Sequence, residues 1–484
     1  MTHGGMSASQ PVATVIILNH NGADILGLVA QSMRAIRDSA GLPDAQLIVV
    51  DDNSSDGSDA EAAALCAQLG AEFASTRYGK HGIGAARNLG LSLARGPLIA
   101  FLDNDAIPQP GWLSALVGFV NARPSAGAVA SRVMFADKHD VVNSMGSVLN
   151  ELFHGNGVGI HELFEFARLP DKVMYATGNG MALRRAALDQ IGTFDEGYLF
   201  WGADDADLGM RLRRAGWTIH VVPDAVVHHL HSYSKTVQGM PFWDGRNRIR
   251  MALKHLSWQE IPRFVLVDLA ANLRSTPLRH YLRCWWSTLA DAEGMRTLYA
   301  YRRRHRGELG YWRAFAEWFQ APRRLLVTPD NRPYGLAKAT LTSLRIGEND
   351  EAHLYHGWYW VERVGPHRAR RARQVASLVG SLPQGASALR LCLLPGPEPV
   401  SSLTVRARWW HADRWEEVAT LSCALQANDG DGLVYSSLPC DLPPGEYHII
   451  LEADSAPLEK GFFPRQISFG LASLSVESHL AEAS

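Results

Sequence analysis

Cysteine is scarce in this sequence. Cys66, Cys284, Cys392, Cys423 and Cys440 are odd in number, scattered, and include no C-x-x-C pair. That argues against a disulfide framework or a zinc site and favours a reducing compartment. An excess of one charge is also missing: 47 Lys and Arg stand against 49 Asp and Glu, a formal net charge of -2. The total therefore implies neither nucleic-acid binding nor electrostatic adsorption to a membrane. No apolar stretch reaches the ~20 residues that span a bilayer. The best candidate, FVLVDLAANL at 264–273, is short and contains Asp268. No basic region precedes the first apolar run, VATVIIL, so it reads as a strand and not a signal peptide. These absences point to a cytosolic protein. Two glycine signatures are missing as well. The first strand ends in NHNG instead of a G-x-G-x-x-G turn, which disfavours an NAD-dependent enzyme, and there is no P-loop. The later GIGAARNLG has Arg87 where the dinucleotide motif needs glycine. The glycine-rich basic loop expected of a nucleotide-sugar-forming nucleotidyltransferase is not there either.

What the chain does contain is 46% hydrophobic and 20% charged residues over 484 positions, enough for two or three globular domains. Residues 11–135 alternate short apolar runs with helical patterns. VATVIIL (12–18), QLIVV (46–50), AEFAS (71–75) and PLIAFL (97–102) read as strands, with helices between them. Such repetition implies an α/β fold with right-handed crossovers and a mostly parallel, Rossmann-like sheet. Ligands of such sheets sit beyond the carboxyl ends of the strands. Three strands end there in polar residues: Asn19-His20-Asn21, Asp51-Asp52-Asn53 and Asp103-Asn104-Asp105. We assign 11–240 to this domain, 241–335 to a helical region rich in Trp and Arg, and 336–484 to a strand-rich module. In the last, SLTVRARWW sets Leu403, Val405, Ala407 and Trp409 on one face, and a β-sandwich is the simplest reading.

The acidic edge raises a chemical question. Asp103 and Asp105 are like charges two residues apart at a strand end, and such a pair repels unless a cation joins it. Hard cations such as Mg²⁺ and Mn²⁺ take oxygen ligands, and Mg²⁺ is commonly shared between carboxylates and substrate phosphates. Taken alone, D-x-D before Pro108 is more simply a polar turn. A second acidic cluster lies in FWGADDADLGMRLRRAG, which reads as a helix with Asp204 as N-cap, Asp205 and Asp207 in its first turn, and Gly216 ending it. The helix dipole favours carboxylates there.

Six ordered segments carry a resemblance: VVDDNSSDGS, GIGAARNLGLSLA, FLDNDAIPQPGWL, TGNGMALRRAALDQIGTFDE, WGADDADLGMRLRRAGW and VVPDAVVHHLHS. Over its first half the chain resembles a family 2 glycosyltransferase with the type-A nucleotide-sugar-binding fold. The resemblance implies that Asp52 accepts a hydrogen bond from the nucleotide base. It puts Asp103 on the ribose or metal side, Asp105 at the metal-ligand position, and Arg87 over the nucleotide. Asn19 and Asn104 belong with these on the donor side. Asp205 matches the general base, with Asp204 standing where the family usually has Glu, and His229 is the best match to the family's metal-binding histidine. The cofactor implied is Mn²⁺ or Mg²⁺. The expected reaction moves a sugar from a nucleotide-sugar donor to a hydroxyl of a glycan or lipid-linked oligosaccharide, with inversion, in surface polysaccharide synthesis. The rival reading is an inactive carbohydrate-binding or assembly protein on a transferase scaffold. Loops such as 137–172 would build the pocket that selects donor sugar, nucleotide base and acceptor. Trp201 is a candidate for stacking on sugar, whereas Trp217, Trp358, Trp360 and Trp410 more simply pack their own modules. Basic runs at 302–306 and 368–373 suggest peripheral contact with the inner face of the plasma membrane, with a solvated face as the plainer alternative.

Overall fold

The computed structural model describes residues 11–37, 45–79, 82–136, 138–160, 163–165, 167, 169–199, 202–230, 240–272, 277–311, 341, 343–345, 354–364, 367–395, 402–411, 414–424, 434–454 and 469–477. By internal contacts the chain divides into two compact units. One is Met1–Ile160 with Ala167–Phe319, the other His161–Phe166 with Gln320–Ser484.

The first unit opens with β1 (Thr14–Asn19), α1 (Leu26–Arg37), β2 (Gln46–Asp51), α2 (Ser58–Leu69), β3 (Glu72–Ser75), α3 (Ile83–Leu93), β4 (Leu98–Asp103), β5 (Ala106–Pro108) and α4 (Trp112–Asn121). It continues through β6 (Ala126–Phe135), β7 (Lys138–Met145), β8 (Ser147–Leu149), β9 (Gly155–Gly157), β10 (Met181–Arg184), α5 (Arg185–Ile191), α6 (Asp204–Arg214) and β11 (Thr218–His229). Helices α7 (Met240–His255), α8 (Ile261–Asn272), α9 (Leu278–Ala290) and α10 (Ala292–Arg304) complete it.

The main sheet runs β3-β2-β1-β4-β10-β6-β11-β5, with β7 beside β6. Strands β1 to β4 pair in parallel, as do β6 and β11, whereas β10, β5 and β7 run against their neighbours. Six of the nine strands run in one direction and three run against them, so the sheet is mixed, with the reversed β10 between β4 and β6, in keeping with the type-A pattern. Both faces are covered, so β1 and β2 are buried along their length, as apolar runs in parallel sheets are. Helix α1 lays Val29, Met33 and Ile36 on one face together with Val15, Ile17 and Val49. The parallel pairing aligns the strand tips: Asn19 is level with Asp51, and Leu18 with Asp103.

The second unit contains β12 (Ser343–Arg345), β13 (Leu354–Val364), β14 (His367–Leu382), β15 (Ala386–Pro395), β16 (Ser402–His411), β17 (Arg414–Ala424), β18 (Val434–Leu442), β19 (Gly445–Ala453) and β20 (Phe469–Glu477). They form one continuous sheet, β17-β16-β19-β14-β20-β15-β18, with β12 on β20 and β13 on β14. Side chains from near both ends of that order, Leu403 and Val405 with Leu389 and Leu391, share one core, so the sheet curls around it. Leu403, Val405 and Ala407 face inward as their alternation predicts, with Trp409 packed against the same core. The side chains of Trp358, Trp360 and Trp410, those of the 368–373 run, and Trp201 lie outside the described residues.

Candidate active site

The polar strand tips meet at one edge. β1 delivers Asn19, whose Nδ2 donates to Asp51 Oδ1 at 2.9 Å and Ser58 Oγ at 3.0 Å, and whose Oδ1 accepts from Asn104 Nδ2 at 3.1 Å. Asn19 is fully buried. Its geometry makes it the bolt between three strand tips, and Asn104 is held by the same bolt. Asp52 follows β2 and accepts from Thr76 Oγ1 at 2.9 Å and from the Gly82 amide at 2.8 and 3.0 Å. It therefore tethers the start of α3 from a part-buried position.

β4 ends at Asp103, a turn carries Asn104, and β5 begins at Ala106. The tip of β11 lies antiparallel to β5, His229 opposite Ala106, and the Leu230 amide donates to the Asp105 carbonyl at 2.9 Å. This pairing sets His229 Nε2 at 3.2 Å from Asp105 Oδ1. Side-chain ligand atoms of Asp103, Asp105 and His229 all lie within 4.8 Å of one another. Burial, followed by the charge of Asp105, raises the Asp103 carboxyl, against the pull of Arg87. Two carboxylates and an imidazole, gathered from two strands, are a donor set that suits Mn²⁺ at least as well as Mg²⁺. His228, its neighbour in β11, stacks on His139 at 4.4 Å and takes no part in that cluster.

Helix α6 brings the second acidic group. Its N-cap is Ala203, at φ +76°, and Asp204 is already the first helical residue, not the cap expected from the sequence. The reason is a buried partner. Arg87 of α3 pairs with Asp204, both almost wholly inaccessible, and the Arg87 guanidinium lies 5.2 Å from the Phe194 ring centre. The fork assigned above to the nucleotide is thus turned to Asp204. Burial works against the charge of Arg87, but Asp204, Asp103 and Asp205 outweigh it and hold its pKa above the usual value. Asp205 is partly exposed, and its Oδ1 accepts from the Ala206 amide at 2.8 Å. Burial first and the Asp204 charge second push its carboxyl up to about 7, while Arg87 acts the other way. Arg87 lies within electrostatic reach of Asp103, Asp204 and Asp205, so the two acidic clusters share one neighbourhood.

The T-G-N-G stretch has a role in this arrangement. A Cβ at Gly178 would collide with the Arg87 guanidinium, and Gly180 has φ +101°. Only glycine lets the chain pass the buried cation and then turn into β10.

Asp207 lies in the first turn of α6 as expected. It is fully buried, and it meets Lys254 Nζ at 2.8 Å, Arg211 Nε at 2.8 Å and His255 Nε2 at 2.7 Å. Helix α7 supplies two of these partners, and its Asn247 Nδ2 donates to the Leu199 carbonyl at 2.9 Å and the Gly202 carbonyl at 3.2 Å. Arg250 and Lys254 both reach Asp195, at 2.9 and 2.7 Å. One helical face thus clamps the segment that leads into α6. Reading the sequence missed this, although Arg246, Arg250 and Lys254 recur every four residues. Such spacing ordinarily marks a solvated stripe.

Residues 14–192 match the family model "Glycosyl transferase family 2", and residues 164–235 match "N-terminal domain of galactosyltransferase". Over these residues the chain has the fold of a family 2 glycosyltransferase. It is 31% identical over 220 residues to the pre-mycofactocin glycosyltransferase of Mycobacterium tuberculosis, covering 45% of this chain and 42% of that protein. It is 23% identical over 237 residues to the chondroitin synthase of Escherichia coli, covering 45% and 34%. The chain thus spans less than half the length of these curated relatives. A crystal structure of GalNAc-T7 with UDP, GalNAc and Mn²⁺ aligns at 15% identity and a TM-score of 0.42, over 52% of this chain and 49% of that one. All the acidic groups described above lie within residues 14–235, the stretch that these two models match.

Proposed function

We propose that the protein transfers a sugar from a nucleotide-sugar donor to a hydroxyl of a glycan or lipid-linked oligosaccharide, with inversion and a divalent cation, in surface polysaccharide synthesis. The observation that carries this reading is the meeting of Asp103, Asp105 and His229 beside the Arg87–Asp204–Asp205 group. Asp105 and His229, with Asp103, would hold Mn²⁺ or Mg²⁺. When bound, the cation supplies positive charge to a departing diphosphate. Asn19, Asn104 and Asp52 shape the donor side, Asp52 offering a carboxylate to the base.

Asp205 acts as general base. It takes the proton of the acceptor hydroxyl as that oxygen bonds to the anomeric carbon, while the bond to the nucleoside diphosphate breaks on the opposite face. A single in-line displacement inverts the anomeric configuration. A carboxylate with its pKa near 7 is well matched to proton transfer at neutral pH. Arg87 neutralises Asp204, which leaves Asp205 as the carboxylate open to the acceptor. Residues 336–484 form an accessory module.

Isothermal titration of nucleoside diphosphates with and without Mn²⁺ tests the donor site. Binding should need the metal and disappear in Asp105→Asn. Metal-independent glycan binding alone would favour a non-catalytic module instead. A panel of nucleotide sugars with product NMR then identifies the donor and reads inversion directly.

A further inference from the structure

Among the described residues, helices α8 and α9 leave an apolar surface uncovered. On α9, Leu278, Leu282, Trp286 and Leu289 recur at helical spacing and are exposed, Trp286 at 75%, while Tyr281, Cys284 and Thr288 on the other side are buried. Helix α8 adds Leu266, at 69%, and Val267. Isolated exposed apolar residues are ordinary on a protein surface, but a periodic face of them needs an occupant.

Charge narrows the choice. Between positions 261 and 290 Asp268 is the lone acidic residue, and it is buried against Arg248 at 2.9 Å. Arg279 and Arg283 lie among the exposed leucines, and the Arg283 guanidinium sits 4.7 Å from the Phe242 ring centre. A second copy docked through this face would set arginine against arginine with no carboxylate from either helix between them. A surface both apolar and anionic at its boundary answers the whole pattern: acyl chains for the leucines, phosphates for the arginines, and the headgroup level for the amphipathic indole.

We propose that the outer face of α8 and α9 lies in the headgroup region of an anionic phospholipid bilayer. The helices lie on the membrane and not across it, since no described helix is long and apolar enough to span one. Of the two basic runs noted in the sequence, 302–306 is partly structural. Arg302 is buried, donates to the Leu256 carbonyl at 2.7 Å, and lies 3.9 Å from the Trp258 ring centre.

The test uses the full chain and vesicles of phosphatidylglycerol and phosphatidylcholine in equal parts. The protein should float with them, at least about tenfold more than with phosphatidylcholine alone, and added salt should weaken the binding. The emission of Trp286 should shift to the blue on binding, and Trp286→Phe should lose that shift. Leu282→Glu with Trp286→Glu should abolish flotation with an unchanged circular dichroism spectrum. Should that pair fail to fold, Arg279→Gln with Arg283→Gln should remove the preference for anionic vesicles. Wild-type protein left in the pellet, flotation that survives every one of these changes, or a dimer dissolved by them would overturn the assignment. Sugar transfer is not measured in this experiment, so its outcome is separate from that of the proposed reaction.

Discussion

Asp205 and Arg87 carry the most specific expectations. Asp205→Asn keeps the shape but removes the proton acceptor that the proposed mechanism requires, so donor affinity should stay within about threefold while turnover falls at least about 100-fold. Titration calorimetry and initial rates separate the two effects. In the parent protein, turnover should rise with pH and level off above about 7, because the proposed base must be ionised and the Asp205 carboxyl is raised to that value. Arg87→Met leaves Asp204 buried without its cation, which should cost about 3–5 kcal/mol by thermal or urea unfolding. In the protein that still folds, the turnover profile should move to higher pH, since Arg87 is the cation that favours ionised Asp205. Gly178→Ala should give a milder version of the same displacement.

At the scale of elements, α7 acts on α6 through the segment between Asp195 and Gly202. Asn247→Ala removes donors from two loop carbonyls, so hydrogen exchange should quicken across residues 197–204 and not in β1 or β2. The expected stability loss is about 1–3 kcal/mol. Turnover should fall more than donor affinity, because the segment leads to Asp204 and Asp205 and not to the strand tips. Lys254→Met strikes harder. It removes the cation shared by Asp195 and Asp207 inside the fold, and unfolding should show a loss of about 3–5 kcal/mol. The α7 face was hidden in the sequence because charge at helical spacing looks alike whether it meets water or a buried acidic partner. By contrast, β1, β2 and β4 could be read directly, since a run of five or six apolar residues flanked by turn formers has few other uses.

For the whole molecule, acid should act through buried histidines in both units. His255 in the first and His448 in the second are fully buried, and burial lowers each to about 3. An unfolded chain binds a proton at each below about 6.5 and the folded chain does not, so stability should decline as pH falls from about 6.5 towards 3. The carboxyls of Asp195 and Asp207 are held below their usual range, burial being outweighed by Lys254 with Arg250 or Arg211. They add to the same loss as pH drops through their lowered values. Asp205 acts in the opposite sense between about 4 and 7, and Asp103 and Asp244, also raised by burial, act with it, against His154, His228, His255 and His448, all lowered by burial. Melting temperatures should therefore fall steadily from pH 7 to pH 4, and His448→Gln should blunt the decline if the second unit contributes as described.

The sequence by itself determined the α/β class, the strands whose tips carry Asn19, Asp52, Asp103 and Asp105, the position of the α6 helix, and the strand-rich character of the second unit. Each is local information: apolar run length, period and turn chemistry within a few residues. Only the tertiary structure decided that Arg87 faces Asp204, that Asp207 is a buried partner of α7, and that α9 shows leucines and a tryptophan to the outside. These depend on which elements become neighbours across tens or hundreds of positions. A charged or apolar side chain does not announce in the sequence whether its neighbour will be water, an opposite charge or an open face.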